Sequence, residues 1–202
     1  MLAMNTIARF ASSPFAGALE PWQLTSGLHA ILQDLLGKLG DDFERSGNIA
    51  VHRTARIEPQ ATLKGPAIIG PGCYVAASAY LRDGVYLEQD CIIGPAAELK
   101  TSVVFRGSKL AHLNFVGDSV LGEGVNIEAG AVVANYRNEL SEKRIRIAFR
   151  GQVFDTGVEK FGALIGDHVR IGANAVIAPG AILEAGAIVP RLTLVDQSAW
   201  YQ

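Results

Sequence analysis

Stepping by six from Val51 meets Val51, Ile57, Leu63, Ile69, Val75, Leu81, Leu87, Ile93, Leu99 and Phe105, every one large and apolar. Four residues after each stands a small or β-branched residue: Ala55, Ala61, Ala67, Cys73, Ala79, Val85, Cys91, Ala97 and Val103, until Lys109 breaks the row. The period resumes at Phe115, Leu121, Ile127 and Val133, and again at Ile165, Ile171, Ile177, Leu183 and Val189. A period of six is a whole number of strand alternations and does not fit a helix of 3.6 residues per turn. Short fixed periods build solenoids, in which each repeat buries its face only by stacking on its neighbours. Three hexads make one triangular coil of eighteen residues, with the large aliphatic inside and Gly or Pro at the corners, as in Ile69-Gly70-Pro71-Gly72 and Ala178-Pro179-Gly180. The pattern predicts an all-β solenoid, a parallel β-helix, over residues 47–190.

Residues 1–46 lack the period. Thr25 or Ser26 is placed to cap a helix with the apolar stripe Leu28, Ile31, Leu32, Leu35, Leu36 and Leu39, stopped by Gly40. This N-terminal helical cap is expected to cover the open first coil, whose backbone edge is otherwise unpaired, with a partner-binding helix as the alternative. The tail, 191–202, is expected to cap the far end or dock on a neighbouring subunit. Two interruptions stand out. Ten residues separate Phe105 from Phe115, which predicts a bulge or loop over 106–114 around His112. From about 134 to 161 the period is lost, and Arg144-Ile145-Arg146-Ile147-Ala148-Phe149-Arg150, Gly151, Gln152-Val153-Phe154 reads as a protruding hairpin. Its Lys143, Arg144, Arg146 and Arg150 either meet a phosphorylated ligand or protect an exposed strand edge.

The charge of −2 gives no global attraction to nucleic acid or membrane, so neither is expected as a partner and any anion site must be local. No apolar run is long enough to span a bilayer, and Pro14 and Pro21 interrupt any signal-like N-terminus. Cytoplasmic residence is expected. Cys73 and Cys91, eighteen apart, stack at the small inward position as reduced core filler. Lys64, Arg82 and Lys100 are also eighteen apart, each just after an interior aliphatic, and form a basic column on an outer face with no carboxylate in it. Like charges that close repel, so the column reads either as an anion site or as a solvated ladder. Glu88 and Arg106 read as a surface ion pair.

These residues carry a likeness. Arg82-Asp83-Gly84, Glu98-Leu99-Lys100, Gly107-Ser108-Lys109-Leu110-Ala111-His112-Leu113, Val116-Gly117-Asp118, Gly124-Val125-Asn126-Ile127, Ala129-Gly130, Asn135-Tyr136, Lys160-Phe161 and Ile165-Gly166-Asp167 resemble the acetyltransferase domain of N-acetylglucosamine-1-phosphate uridyltransferase. The inserted hairpin, with Phe154-Asp155-Thr156-Gly157, is more similar to the β-helix domain of glucose-1-phosphate thymidylyltransferase-like sugar nucleotidyltransferases. The resemblance covers roughly residues 50–190 and implies a left-handed hexapeptide-repeat acyltransferase, an exception to the right-handed crossover rule. The relatives' nucleotidyltransferase domain, with its glycine-rich signature, has no counterpart here, so nucleotidyl transfer by this chain is not expected.

The resemblance implies acetyl transfer from acetyl-CoA to the amine of an amino-sugar 1-phosphate or a related sugar nucleotide, by a homotrimer with sites between subunits and no metal. His112 falls on the family's general base, with Asn135 beside it in the catalytic set. Arg82 and Lys100 fall on the phosphate-binding pair, Asn126, Phe115 and Lys160 on substrate positions, and Ala129 and Ala173 on the CoA path. Phe115 departs from the usual tyrosine. An imidazole titrates near neutral pH and suits a base that accepts the proton of an attacking amine; main-chain N–H groups suit the tetrahedral oxyanion. Glu98 is a candidate to orient or neutralise nearby groups. His29, His52 and His168 read as structural. The rival reading is a non-catalytic trimeric module that binds a sugar nucleotide or scaffolds a separate nucleotidyltransferase. A carbonic anhydrase of the same fold needs two histidines five apart, and the chain has no such pair.

Overall fold

The computed structural model describes residues 2, 6–17 and 20–198, so residues 199–202 of the tail lie outside the described residues. Strands stack in parallel into a three-faced left-handed β-helix. The first face runs from Ile49–His52 to Ala181–Leu183, the second from Arg56–Ile57 to Ile188–Val189, and the third from Thr62–Leu63 to Leu194–Val195. Two longer strands, Tyr80–Leu87 and Glu98–Val104, turn the corner from the third face to the first without a break. Inward residues from Ile69 to Val189, Cys73 and Cys91 among them, fill the prism. Both cysteines are reduced and buried, and the Cys73 thiol donates to the Glu88 carbonyl at 2.9 Å.

Residues 106–114 form no loop. Lys109–Leu110 is a regular rung, paired with Ile92–Ile93 on one side and Asn126–Ile127 on the other. The ten-residue gap has another origin. Arg82 pairs with Lys100 but Val85 pairs with Ser102, and Lys100 then pairs with Gly117, so two successive coils are one residue short at the corner between the third and first faces. Each deletion exchanges the inward and outward sets beyond it. Val104 and Val116 point inward, while Phe105 packs outward against Phe10, ring centroids 6.3 Å apart.

The first face carries a second core outside the prism. Its outward row, Ile68, Tyr86, Val103, Val120, Leu164 and Ile182, is apolar and packs under Ile7, Phe10, Phe15, Trp22, Leu24, Leu28 and Leu32. The helix α1 (Pro21–Lys38) therefore lies along this side, not over the open end as expected, and Phe43–Ser46 covers the first edge by pairing antiparallel with Ile49–His52. It starts earlier than Thr25: Pro21 takes the first position, and the Gln23 side chain accepts the Glu20 N–H at 2.9 Å. Thr25 is buried. Gly84, beneath Leu28 and Leu32 of the helix, takes φ +107°, a conformation that residues with a side chain rarely adopt.

The insertion leaves the fifth coil at the same corner. Arg146–Phe149 and Gln152–Asp155 pair as the expected hairpin, and its inner side folds back, with Ile145 and Ile147 buried and Phe154 against Trp22. Its basic residues are answered within the chain: Arg144 by Asp155 at 2.6 Å, Arg150 by Glu184 at 2.7 Å, and Lys143 by the carbonyls of Arg137 and Asn138. Glu88 meets Arg9 rather than the Arg106 guanidinium, which turns to Glu123. Among the described residues, no helix is long and apolar enough to cross a membrane.

Candidate functional site

Apart from Asn126, the expected site residues sort onto the two sides of the third face. Along the corner between the third and first faces, Arg82, Lys100, Phe115, Asn135, Tyr136, Glu159 and Lys160 line an open cleft of about 570 Å³. The rungs bring Arg82 and Lys100 side by side, and the two ends of the insertion supply Asn135 and Lys160. The Phe115 ring and the Asn135 amide close over Gly117, where an added Cβ would lie 2.9 and 2.7 Å from them.

The basic column does not stand alone. Glu98 accepts from Arg82 at 2.7 and 2.8 Å, Asp83 binds the same guanidinium at 2.7 Å, and Asp118 holds Lys100 at 3.0 Å. Lys64 lies over the Tyr80 ring, 5.2 Å from its centroid. Burial works against the Arg82 charge, and Glu98 and Asp83 more than offset it, holding the guanidinium above its usual pKa. Asp118 also accepts a short hydrogen bond from Asn135. One further step of eighteen from Lys100 reaches Asp118, so the carboxylate that ends the column was within reach of the same arithmetic. Lys160 is exposed and makes no hydrogen bond or ion pair among the described residues.

On the opposite edge, His112, Ala129 and Ala173 occupy one corner rail on successive coils, bounded by Pro95 and Arg191. The rail is held by backbone bonds from Leu113 to Pro95, Gly130 to His112, Asn174 to Ala129 and Leu192 to Ala173. Successive coils stack about 4.8 Å apart, so the three side chains form a short row. The His112 imidazole is exposed and has no hydrogen-bond partner among the described residues. The Ala173 N–H already donates to Glu128 at 2.8 Å, and Glu128 in turn pairs with Arg191 at 2.7 Å. Arg191 first, then that N–H, holds the Glu128 carboxyl below its ordinary range. Asn126 is exposed on the second face, beside Glu128 and Arg170 in a separate shallow cleft. A single chain thus brings Arg82, Lys100, Phe115, Asn135 and Lys160 together and leaves His112, Asn126, Ala129 and Ala173 across the third face from them.

A triangular solenoid built on this six-residue period is a hexapeptide-repeat protein. Residues 45–153 match the GMPPB C-terminal domain, and residues 162–190 match the hexapeptide repeat of succinyl-transferase. The first match spans more than half of the chain, and the chain belongs to the GMPPB C-terminal domain family. A bifunctional sugar-1-phosphate nucleotidylyltransferase/acetyltransferase of Sulfurisphaera tokodaii is 34% identical over 187 residues, covering 90% of this chain and 46% of that protein. The bifunctional protein GlmU of Methanococcus vannielii is 28% identical over 182 residues, covering 88% of this chain and 43% of that protein. The chain therefore spans less than half the length of these curated relatives. Among solved structures, the acetyltransferase domain of PglB from Neisseria gonorrhoeae aligns with a TM-score of 0.45 at 17% identity, covering 86% of this chain and 71% of that one.

Proposed function

We propose that this chain transfers an acetyl group from acetyl-CoA to the amine of an amino-sugar 1-phosphate or a related sugar nucleotide. The observation that carries the reading is the convergence of Arg82, Lys100, Phe115, Asn135 and Lys160 on one cleft, from rungs and insertion ends far apart in sequence. Lys160, which makes no ion pair among the described residues, receives the acceptor phosphate first; Arg82 and Lys100 join it as Glu98 and Asp118 yield. The amine attacks the thioester carbonyl carbon and His112 takes its proton. The C–S bond of the tetrahedral intermediate then breaks, and the proton passes to the departing CoA thiolate. The rail at Ala129 and Ala173 lies along the CoA path, with the Ala129 N–H facing the acetyl oxygen and Glu128 moving aside from Ala173.

In this reading the protein works as a homotrimer. His112 and the basic cleft lie on opposite edges of one face, and a neighbouring copy brings one edge to the other across a groove. Ile92, Leu113, Ile188, Leu192 and Leu194 support it: these apolar side chains stand exposed on the two faces that the helix and hairpin leave open. The non-catalytic binding module remains the second reading, favoured by the carboxylates that neutralise Arg82 and Lys100.

Thiol release from acetyl-CoA with glucosamine 1-phosphate, galactosamine 1-phosphate or an amino-sugar nucleotide tests the proposal. Lys160→Ala is expected to weaken acceptor binding about tenfold or more, the range for a charged hydrogen bond. No acetyl transfer to any of these acceptors moves the assignment to the binding module.

A further inference from the structure

Among the described residues Arg137 is the largest fully buried side chain, 2% exposed. Its guanidinium forms a fork with Asp196 at 2.7 and 2.9 Å and donates to the Pro179 carbonyl at 2.8 Å and to Glu139 at 3.2 Å. A buried guanidinium is costly unless its partners are all held in place, so this one fixes what it touches. It ties the start of the insertion to the next coil, through Pro179, and to the end of the described chain, through Asp196. Residues 196–198 are themselves fastened: the Ala148 N–H donates to the Gln197 carbonyl at 2.8 Å, the Gln197 side chain pairs with both main-chain groups of Ile182, and Ser198 bridges Ile147. Asn135 and Tyr136 immediately precede Arg137, and both line the cleft beside Lys100.

We propose that Arg137 is a positioning residue, and that residues 196–198 are a strap through which the Arg137–Asp196 pair holds Asn135 and Tyr136 in the wall of the acceptor cleft. The role in catalysis rests on the acetyltransferase reading above; the mechanical coupling does not. Two carboxylates and one main-chain carbonyl meet at the root of the insertion, and five N–H groups on a planar fork answer all three where an aliphatic side chain does not. Lys143 repeats the device from the other end by binding the carbonyls of Arg137 and Asn138.

The test is amide hydrogen exchange on the whole chain with Asp196→Asn and Arg137→Lys, with Arg150→Ala on the hairpin as control. The Phe161 and Leu140 amides, which donate to Asn135 and Arg137, are expected to exchange about tenfold faster or more in both strap variants. The Val132 and Gly166 amides inside the solenoid keep their protection, and Arg150→Ala changes none of the four. In turnover, the acceptor KM rises while the acetyl-CoA KM stays, because Asn135 and Tyr136 line only the acceptor cleft. Unchanged exchange at Phe161 and Leu140 in both strap variants overturns the proposal, as does equal loss of protection along the solenoid in both, which makes the pair a plain fold contact. A wild type that transfers no acetyl group refutes the enzymatic reading alone, since the exchange arm still decides the strap.

Discussion

Asp118 binds Lys100 with both carboxylate oxygens, at 3.0 and 3.1 Å, while the same carboxylate accepts from Asn135. The two side chains are 9% and 14% exposed, so the pair is close to buried. Removing one partner of such a pair strands the other charge. Asp118→Ala is therefore expected to destabilise the fold by about 3 kcal/mol, read from urea unfolding. The Lys100→Met, Asp118→Leu double variant, which removes both charges, should recover most of that loss. A single-variant loss no larger than that of an exposed pair would show that the geometry contributes little.

Gly117 keeps the cleft open. Its added Cβ would press on the far ends of two side chains, Asn135 and Phe115, and on no backbone atom among the nearest three, whereas at Gly94 the added Cβ would lie 1.4 Å from the Ala111 carbonyl oxygen. Gly117→Ala should cost about 1–3 kcal/mol of stability, because two side chains and no backbone must give way, and should lower kcat/KM for the acceptor. Gly94→Ala should prevent the coils from stacking and leave little folded protein. Comparable stability for the two variants would contradict this account of the corners.

The repeat made the fold legible. A period of six at Val51 through Leu99 leaves no other fold class, and the hairpin at 146–155 announced itself by alternation. What misled was phase. Two one-residue deletions near Thr101 and Asp118 moved the inward set from Phe105 to Val104 and from Phe115 to Val116, which made a regular rung look like a loop. The covered face was also legible: Ile68, Tyr86, Val103, Val120, Leu164 and Ile182 are the residues before the interior aliphatics on every third hexad, and they are apolar where the second face carries Arg56, Lys109, Asn126 and Arg170. Of the site, the Arg82–Lys100 column followed from spacing. Asp118 is one more step of eighteen along that column, whereas Glu98 reaches Arg82 from two positions back on the neighbouring rung, and side-chain reach of that kind has no period.

Asp196 makes acid stability testable. Arg137 holds its carboxyl below the usual range, with burial opposing. The unfolded chain thus takes up this proton at a higher pH than the folded one, so the stabilisation is complete above the ordinary carboxylate range and is lost as pH falls through the lowered folded value. Glu123 beside Arg106 and Glu128 beside Arg191 shift the same way, but at the surface, where such pairs contribute little. Urea midpoints from neutral to about pH 3 should fall more steeply for the wild type than for Asp196→Asn, narrowing the gap between them toward the acid end. Parallel curves would show that Asp196 is not a principal acid-sensitive group.

His112→Ala separates catalysis from architecture. The residue sits on an exposed corner, its imidazole makes no hydrogen bond among the described residues, and its backbone carbonyl continues to accept from Gly130 whatever the side chain. Unfolding should therefore be unchanged within about 0.5 kcal/mol, as for surface positions generally. A general base acts as the amine loses its proton in the transition state, so kcat should fall by roughly 10²–10⁴ while acetyl-CoA affinity stays the same. His112→Asn should fail alike, since an amide does not take the proton. The acceptor cleft lies across the third face from His112, so sugar-phosphate affinity should also be unaffected in both variants, in contrast to Lys160→Ala. A wild type that acetylates an amino-sugar phosphate and a His112→Ala variant that does so equally fast would remove His112 from the mechanism.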